Sequence, residues 1–277
     1  MIKSIGWQNH LWGEINDIKV SIKDRGLRFS DAIFETILIK NNKPIFLNEH
    51  LNRFQKNCNL LNFYTQLDNK FIEKIIKEGI FKLKLTDNEY GCIRVNYSRG
   101  INNDRSIKVT LANTNTNFNI KNLWVEFYLI KIKLNSITVH ISEKEKRNEY
   151  SLLSQCKTFN YMQSIQALIE ANKKNFDDSL LLNTKNELCC GSTFNILLKR
   201  ENEWLTPRKE SGCFPGIMIN KLLDLNLIKE SYLIPKFYKD DILIALNSLS
   251  CRQIKKVNNF EFSSDFNTRY FWDILCP

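Results

Sequence analysis

Residues 31–40 read Asp-Ala-Ile-Phe-Glu-Thr-Ile-Leu-Ile-Lys, rich in apolar and β-branched side chains. They run into Asn41-Asn42-Lys43-Pro44, which predicts a strand closed by a turn. From 48 to 63 the apolar positions change period: Leu51, Phe54, Cys58 and Leu61 fall at steps of three or four. That spacing predicts an amphipathic helix with Asn48 as its N-cap. Residues 71–83 repeat the helical pattern, and 92–97 and 107–111 read as two strands. The polar run Asn113-Thr114-Asn115-Thr116-Asn117 has the character of a linker. Beyond it, strands over 123–132 and 136–142 lead to a charged turn at 143–147. A helix over 160–172 follows, then a strand at 179–183 with a turn at 184–186, a strand at 194–199 and a helix over 217–225. Strands and helices alternate without a regular strand-helix-strand rhythm. The pattern therefore predicts a mixed α/β chain, not a doubly wound sheet, and shows no internal repeat or low-complexity segment.

Composition narrows the classes. The chain has 277 residues with 43% hydrophobic and 25% charged content, enough for one large or two medium domains. No run approaches the ~20 apolar residues of a membrane helix, and the first residues do not read as a signal peptide. A cytoplasmic protein with no membrane partner is expected. Eight cysteines carry no CxxC pair and no zinc-like spacing. The adjacent Cys189 and Cys190 would point to opposite faces of a strand, so reduced thiols and no metal site are expected. The net charge of +10 is scattered, not gathered into a stripe with interleaved aromatics. That argues against nucleic acid and for a small anionic substrate.

Six segments carry more specific information. They are Asp24-Arg25-Gly26-Leu27-Arg28-Phe29-Ser30-Asp31-Ala32-Ile33-Phe34-Glu35-Thr36; Glu49-His50-Leu51-Asn52-Arg53-Phe54; Lys157-Thr158-Phe159-Asn160-Tyr161; Cys190-Gly191-Ser192-Thr193-Phe194-Asn195-Ile196; Ser211-Gly212-Cys213-Phe214-Pro215-Gly216-Ile217-Met218; and Asn247-Ser248-Leu249. A single lysine or helix arginine is most often a solvated surface residue; six segments in one order are not coincidence. Together they resemble the class IV aminotransferases, and the last two most resemble the aminodeoxychorismate lyase branch. Ser30 and Ala32 stand where the family pattern has glycines.

The resemblance implies a fold and a chemistry. The fold is α/β (α+β), two-domain and D-amino-acid aminotransferase-like, with an N-terminal α/β sandwich (1–113), a linker (114–121) and a C-terminal barrel-like cofactor-binding domain (122–277). The implied cofactor is pyridoxal 5'-phosphate, linked covalently to Lys157, which also shuttles protons. Arg53 would hold the phosphate, as would the helix start at Ile217 and Met218 and the Ser248 hydroxyl. Tyr161 would reach the cofactor's phenolic oxygen. Cys190 stands where the family has a glutamate that keeps the pyridine nitrogen protonated, and Glu187 lies three residues too early to replace it. Arg28 and Arg99 are the expected contacts for a substrate carboxylate. The implied reaction converts 4-amino-4-deoxychorismate to 4-aminobenzoate and pyruvate for folate biosynthesis. The alternatives are a branched-chain or D-amino-acid aminotransferase, or a family member without catalysis. A homodimer is the implied assembly.

Overall fold

A computed structural model describes residues 4–63, 68–109 and 119–277. The chain forms two compact units, Met1–Lys131 with Cys156–Asn160, and Ile132–Gln155 with Tyr161–Pro277.

In the first unit, β1 (Ser4–Gln8) and β2 (Leu11–Gly13) are followed by the short helix α1 (Arg25–Phe29), β3 (Ala32–Lys40) and β4 (Lys43–Pro44). Helices α2 (Leu47–Leu60) and α3 (Asn69–Leu83), then β5 (Tyr90–Ser98) and β6 (Leu123–Ile130), complete it. The six strands form one antiparallel sheet in the order β2-β1-β6-β5-β3-β4. Strand alternation sends Ile33, Ile37, Ile93, Val95, Val125 and Phe127 to one face. There they share a core with Leu51, Phe54 and Cys58 of α2 and Ile72, Ile76 and Leu83 of α3. Gly79 explains how closely α3 lies on this sheet: a Cβ there would sit 2.1 Å from the Phe127 ring. Asp68 caps α3, its carboxylate accepting from Phe71 N–H at 2.9 Å.

The second unit contains β7 (Ile137–Arg147), α4 (Met162–Lys173), β8 (Asp178–Asn183), β9 (Leu188–Gly191), β10 (Asn195–Arg200) and β11 (Glu203–Pro207). Helix α5 (Ile217–Asp224) follows, then β12 (Lys229–Ser231), β13 (Ile242–Asn247), β14 (Ser250–Val257), β15 (Phe260–Glu261) and α6 (Arg269–Leu275). The sheet runs β12-β11-β10-β13-β14-β7-β8-β9, with β15 on β14, and mixes parallel and antiparallel pairs. Its core gathers Val139, Leu180, Leu188, Ile196, Leu243 and Ile254. This is the two-domain mixed α/β architecture expected. No helix among the described residues is long and apolar enough to cross a membrane.

Three expectations change, and one lies outside the described residues. The linker predicted at 113–117 lies outside the described residues. The first unit continues to Lys131 because β6 is hydrogen-bonded between β1 and β5. Residues 107–109 belong to no strand, and 110–111 lie outside the described residues. The charged stretch 143–147 is no turn: β7 carries on through a register shift between Ile141 and Lys146 and pairs Arg147 with Asn183. Asn48 lies within the first turn of α2, whose N-cap is Phe46 in the left-handed region at φ 53°.

Candidate active site

The first half of the motif at 24–36 builds a rigid corner. Asp24 accepts from Gly26 N–H at 2.7 Å and from the Ser98 hydroxyl at 2.7 Å. Asp31 ties down two arginines, Arg25 Nε at 2.8 Å and Arg99 Nε at 2.8 Å. Arg99 also donates to the carbonyls of Asn62 and Leu61 at 2.8 and 2.9 Å and lies over the Phe63 ring. Arg28 donates to the Asp104 carbonyl at 2.8 Å. Both expected substrate contacts are thus engaged in holding loops of the first unit together.

The second half of that motif carries Glu35 onto the sheet face beneath α2. Its carboxylate is fully buried and accepts three bonds: Arg53 Nε to Oε1 at 2.7 Å, Arg53 Nη2 to Oε2 at 2.6 Å, and His50 Nδ1 to Oε2 at 2.8 Å. Burial alone would raise the Glu35 pKa. The Arg53 charge and the hydrogen bonds from His50 and Arg53 outweigh it and pull the value down to about 2. Burial lowers the His50 pKa, so its ring is a neutral donor to an ionised carboxylate. The predicted Arg53 is therefore locked in orientation by Glu35, which His50 bonds in turn, and the sequence analysis gave neither residue a role. Both lie inside quoted motifs, at positions where a helix residue and a strand residue meet only after folding.

Lys157 also belongs to the first unit. The segment 157–159 pairs antiparallel with β3: Phe34 N–H donates to the Lys157 carbonyl at 3.1 Å, Phe159 N–H to the Ala32 carbonyl at 3.0 Å, and Thr158 lies opposite Ile33. Alternation then puts Lys157 and Phe159 on the face of Phe34, opposite the core of α2 and α3. The Lys157 amine sits 4.4 Å from the Phe34 ring centroid.

In the second unit, Cys190 lies on β9 opposite Leu181 of β8 and is buried. Arg147 donates through Nε to its sulfur at 3.4 Å, while Nη1 and Nη2 donate to Gln163 Oε1 and the Ser164 hydroxyl at 3.0 and 2.9 Å. A hydrogen bond from Cys189 and the Arg147 charge bring the Cys190 thiol down to about 6, against burial. Tyr161, at the N-terminal end of α4, acts electrostatically on the same arginine. Glu187 does not move into the place of Cys190. Its carboxylate accepts from Asn183 Nδ2 at 2.9 Å, the Ser211 hydroxyl at 3.1 Å and the Tyr232 hydroxyl. Arg147 had no sequence signal, because a run of charged residues reads as a turn.

The remaining predicted residues gather at one end of this second sheet. Asn195 donates to the Phe214 carbonyl at 2.7 Å, and Asn247 donates to the Thr193 carbonyl at 3.2 Å. The start of α5 and the β13–β14 hairpin bearing Ser248 are thereby tied to one loop. Gly216 is required there, since a Cβ would fall 2.1 Å from Asn195 Oδ1. The first-turn N–H groups of α5 at Ile217 and Met218 have no acceptor within the helix and suit an anion.

The family model for amino-transferase class IV matches residues 32–257. The chain belongs to the class IV aminotransferase family. Among its relatives is branched-chain-amino-acid aminotransferase-like protein 2 of Arabidopsis thaliana, 24% identical over 222 residues. That match takes in 78% of this chain but only 38% of the relative's length. A pyridoxal-phosphate-bound hypothetical aminotransferase from Mycobacterium tuberculosis superposes with a TM-score of 0.81 at 12% identity, covering 98% of this chain and 97% of its own. A candidate 4-amino-4-deoxychorismate lyase from Legionella pneumophila superposes with a TM-score of 0.78 at 22% identity, over 93% and 94% of the two chains. For a class IV aminotransferase the six motifs now have structural positions, and the residue at 190 is a cysteine bonded to Arg147.

Proposed function

We propose that this protein binds pyridoxal phosphate through Lys157 and converts 4-amino-4-deoxychorismate to 4-aminobenzoate and pyruvate. The observation carrying the cofactor reading is the donor set. A lysine amine lies over the Phe34 ring, a guanidinium is fixed by Glu35, which His50 bonds in turn, and a helix start packs closely on Asn195 at Gly216. Arg53, the N–H groups of Ile217 and Met218 and the Ser248 hydroxyl would hold the phosphate. Tyr161 would meet the phenolic oxygen and Cys190 the pyridine nitrogen. Bound there, the cofactor supplies an electron sink for the carbon that carries the substrate amine.

The work of the chain itself is proton transfer and orientation. Lys157 Nζ removes the proton from that carbon. The ether C–O bond breaks, pyruvate leaves as its enol, and the carbocycle becomes aromatic. Substrate and products balance with no further reactant. Cys190 supports this reaction over transamination. A sulfur whose charge is already paired with Arg147 holds a positive ring nitrogen less firmly than a carboxylate aimed at it alone, and only the elimination has aromatisation as a separate driving force. A second reading, an aminotransferase acting on branched-chain amino acids, is favoured by the name of the Arabidopsis relative.

The test supplies purified protein with pyridoxal phosphate and freshly made aminodeoxychorismate and follows 4-aminobenzoate by chromatography with fluorescence. Product that disappears in Lys157→Ala is the expected result. A lysine-bound cofactor spectrum without product would move the assignment to transamination. Neither spectrum nor product would mark a member without catalysis.

A further inference from the structure

Strand β7 leaves its partner β8 and comes back. It pairs Ile141 with Leu180 and resumes with Lys146 opposite Leu182, so residues 142–145 stand against Leu181 alone. Had the ladder continued unbroken, Lys144 would lie opposite Asn183 and Arg147 would fall beyond the end of β8. The excursion sets the chain back by three residues and puts Arg147 opposite Asn183 instead.

An excursion of this kind strips backbone N–H groups of their strand partners, and they must be satisfied elsewhere. One side chain of α4 meets them. Glu170 Oε1 accepts from Glu143 N–H at 3.0 Å, Oε2 accepts from the buried Ser142 hydroxyl at 2.7 Å, and the Lys144 N–H bonds the same carboxylate. Ser142 Oγ in turn accepts from Glu145 N–H at 3.0 Å. Burial alone would raise the Glu170 pKa; these bonds and the charge of His140, whose Nε2 lies 3.5 Å away, hold it below its ordinary value.

The same helix holds the far end of the excursion. Gln163, two turns before Glu170 and on its face, donates Nε2 to the Lys146 carbonyl at 2.8 Å. Its Oε1 and the Ser164 hydroxyl accept the two Nη groups of Arg147, which leaves Nε for the Cys190 sulfur. Helix α4 thus grips β7 where it leaves the ladder and where it rejoins.

We propose that Glu170 is a positioning residue: by capping the N–H groups of the β7 excursion it fixes the three-residue set-back that places Arg147 on the Cys190 sulfur. Glu170 acts through the backbone, since its carboxylate bonds residues 142–144. The inference rests on the functional reading only for what Cys190 faces, the cofactor's ring nitrogen.

The experiment titrates the Cys190 thiolate by ultraviolet absorbance in the full-length chain, subtracting the Cys190→Ser form of each protein. Wild type should show a midpoint at about 6. Glu170→Ala should raise that midpoint by about one pH unit, leaving roughly fivefold less thiolate at pH 6. Glu170→Gln, which keeps one acceptor and the shape, should move it the same way by less. Arg147, Cys189 and Cys213, the groups that bear on Cys190, are the same in every variant. Removing an anion would by itself lower the pKa of a nearby thiol, so a rise reports a displaced guanidinium and not a lost charge. Hydrogen exchange over 142–147 should quicken from wild type to Glu170→Gln to Glu170→Ala. Faster exchange with an unmoved midpoint would make Glu170 a structural cap and overturn the proposal. A lowered midpoint in the variants, or no titration near 6 in wild type, would overturn it too. No cofactor or substrate enters these measurements, so the 4-aminobenzoate assay decides the reaction separately.

Discussion

Two half-buried arginines illustrate what an anionic partner can and cannot do. In the first unit Arg53 meets Glu35, and the planar carboxylate takes two N–H groups of the guanidinium while His50 donates to it as well. In the second unit Arg147 meets Cys190, where one sulfur takes one N–H and Gln163 and Ser164 must satisfy the rest. The first pairing keeps its charge across the whole physiological range, because Glu35 ionises near 2. The second has a charge that turns over close to neutrality, because Cys190 ionises near 6. A carboxylate makes a fixed support and a thiol makes a variable one, although each is buried and each touches a guanidinium.

The strongest way to break this contrast is Glu35→Ala. Removing the fully buried carboxylate breaks both of its bonds to Arg53 and its bond to His50, and the expected loss is about 3–5 kcal/mol in chemical denaturation. The folded Glu35 pKa is depressed, so the stabilisation it contributes is present above the ordinary value and fades only as pH falls from 4.5 towards 2. A loss below about 1 kcal/mol would mean that water reaches Arg53.

Next comes Cys190→Ser, compared with wild type across pH. A depressed thiol pKa contributes stability that is complete above the unfolded value of 9.0 and lost as pH falls through about 6. Wild type should gain on the variant by about 1.4 kcal/mol per pH unit in that window. The ultraviolet absorbance of the thiolate should titrate with the same midpoint in wild type only. A flat difference would show that Arg147 does not hold an anion.

Cys190→Glu asks whether the second pairing can be turned into the first. A gain in transaminase turnover on the order of tenfold, about 1.4 kcal/mol of barrier, is expected. No gain would count against Cys190 as the determinant of reaction type. The smallest effect should come from Ser211→Ala, which removes one of the bonds to Glu187. About 1 kcal/mol of stability should be lost with the Cys190 titration unchanged. A shifted titration would show that Glu187 can reach the cysteine's surroundings.

Much of this was legible before folding, for reasons that differ by residue. Strand β3 showed itself because its run of isoleucines and leucines is buried, and α2 and α3 because each buries one stripe. Lys157, Arg53 and Cys190 were visible through local segments that keep their order. Arg147 was hidden because the last residues of β7 are solvated and charged, which looks like a turn until a register shift brings position 147 opposite Asn183. Arg28 and Arg99 were expected from the resemblance, and a local segment does not say whether a guanidinium faces a ligand or a neighbouring carbonyl.

The strand-like segment at 157–159 has a consequence for how the protein is made. The five residues Cys156–Asn160 belong to the first unit, yet the chain on both sides of them belongs to the second. A chain emerging from the ribosome can complete helices and strands up to Lys131 while the edge of β3 at residues 32–34 still lacks its partner. Exposed strand edges invite pairing with other chains. That edge is covered only when residues 157–159 have been synthesised, so a chain truncated before that point keeps a bare strand edge at 32–34.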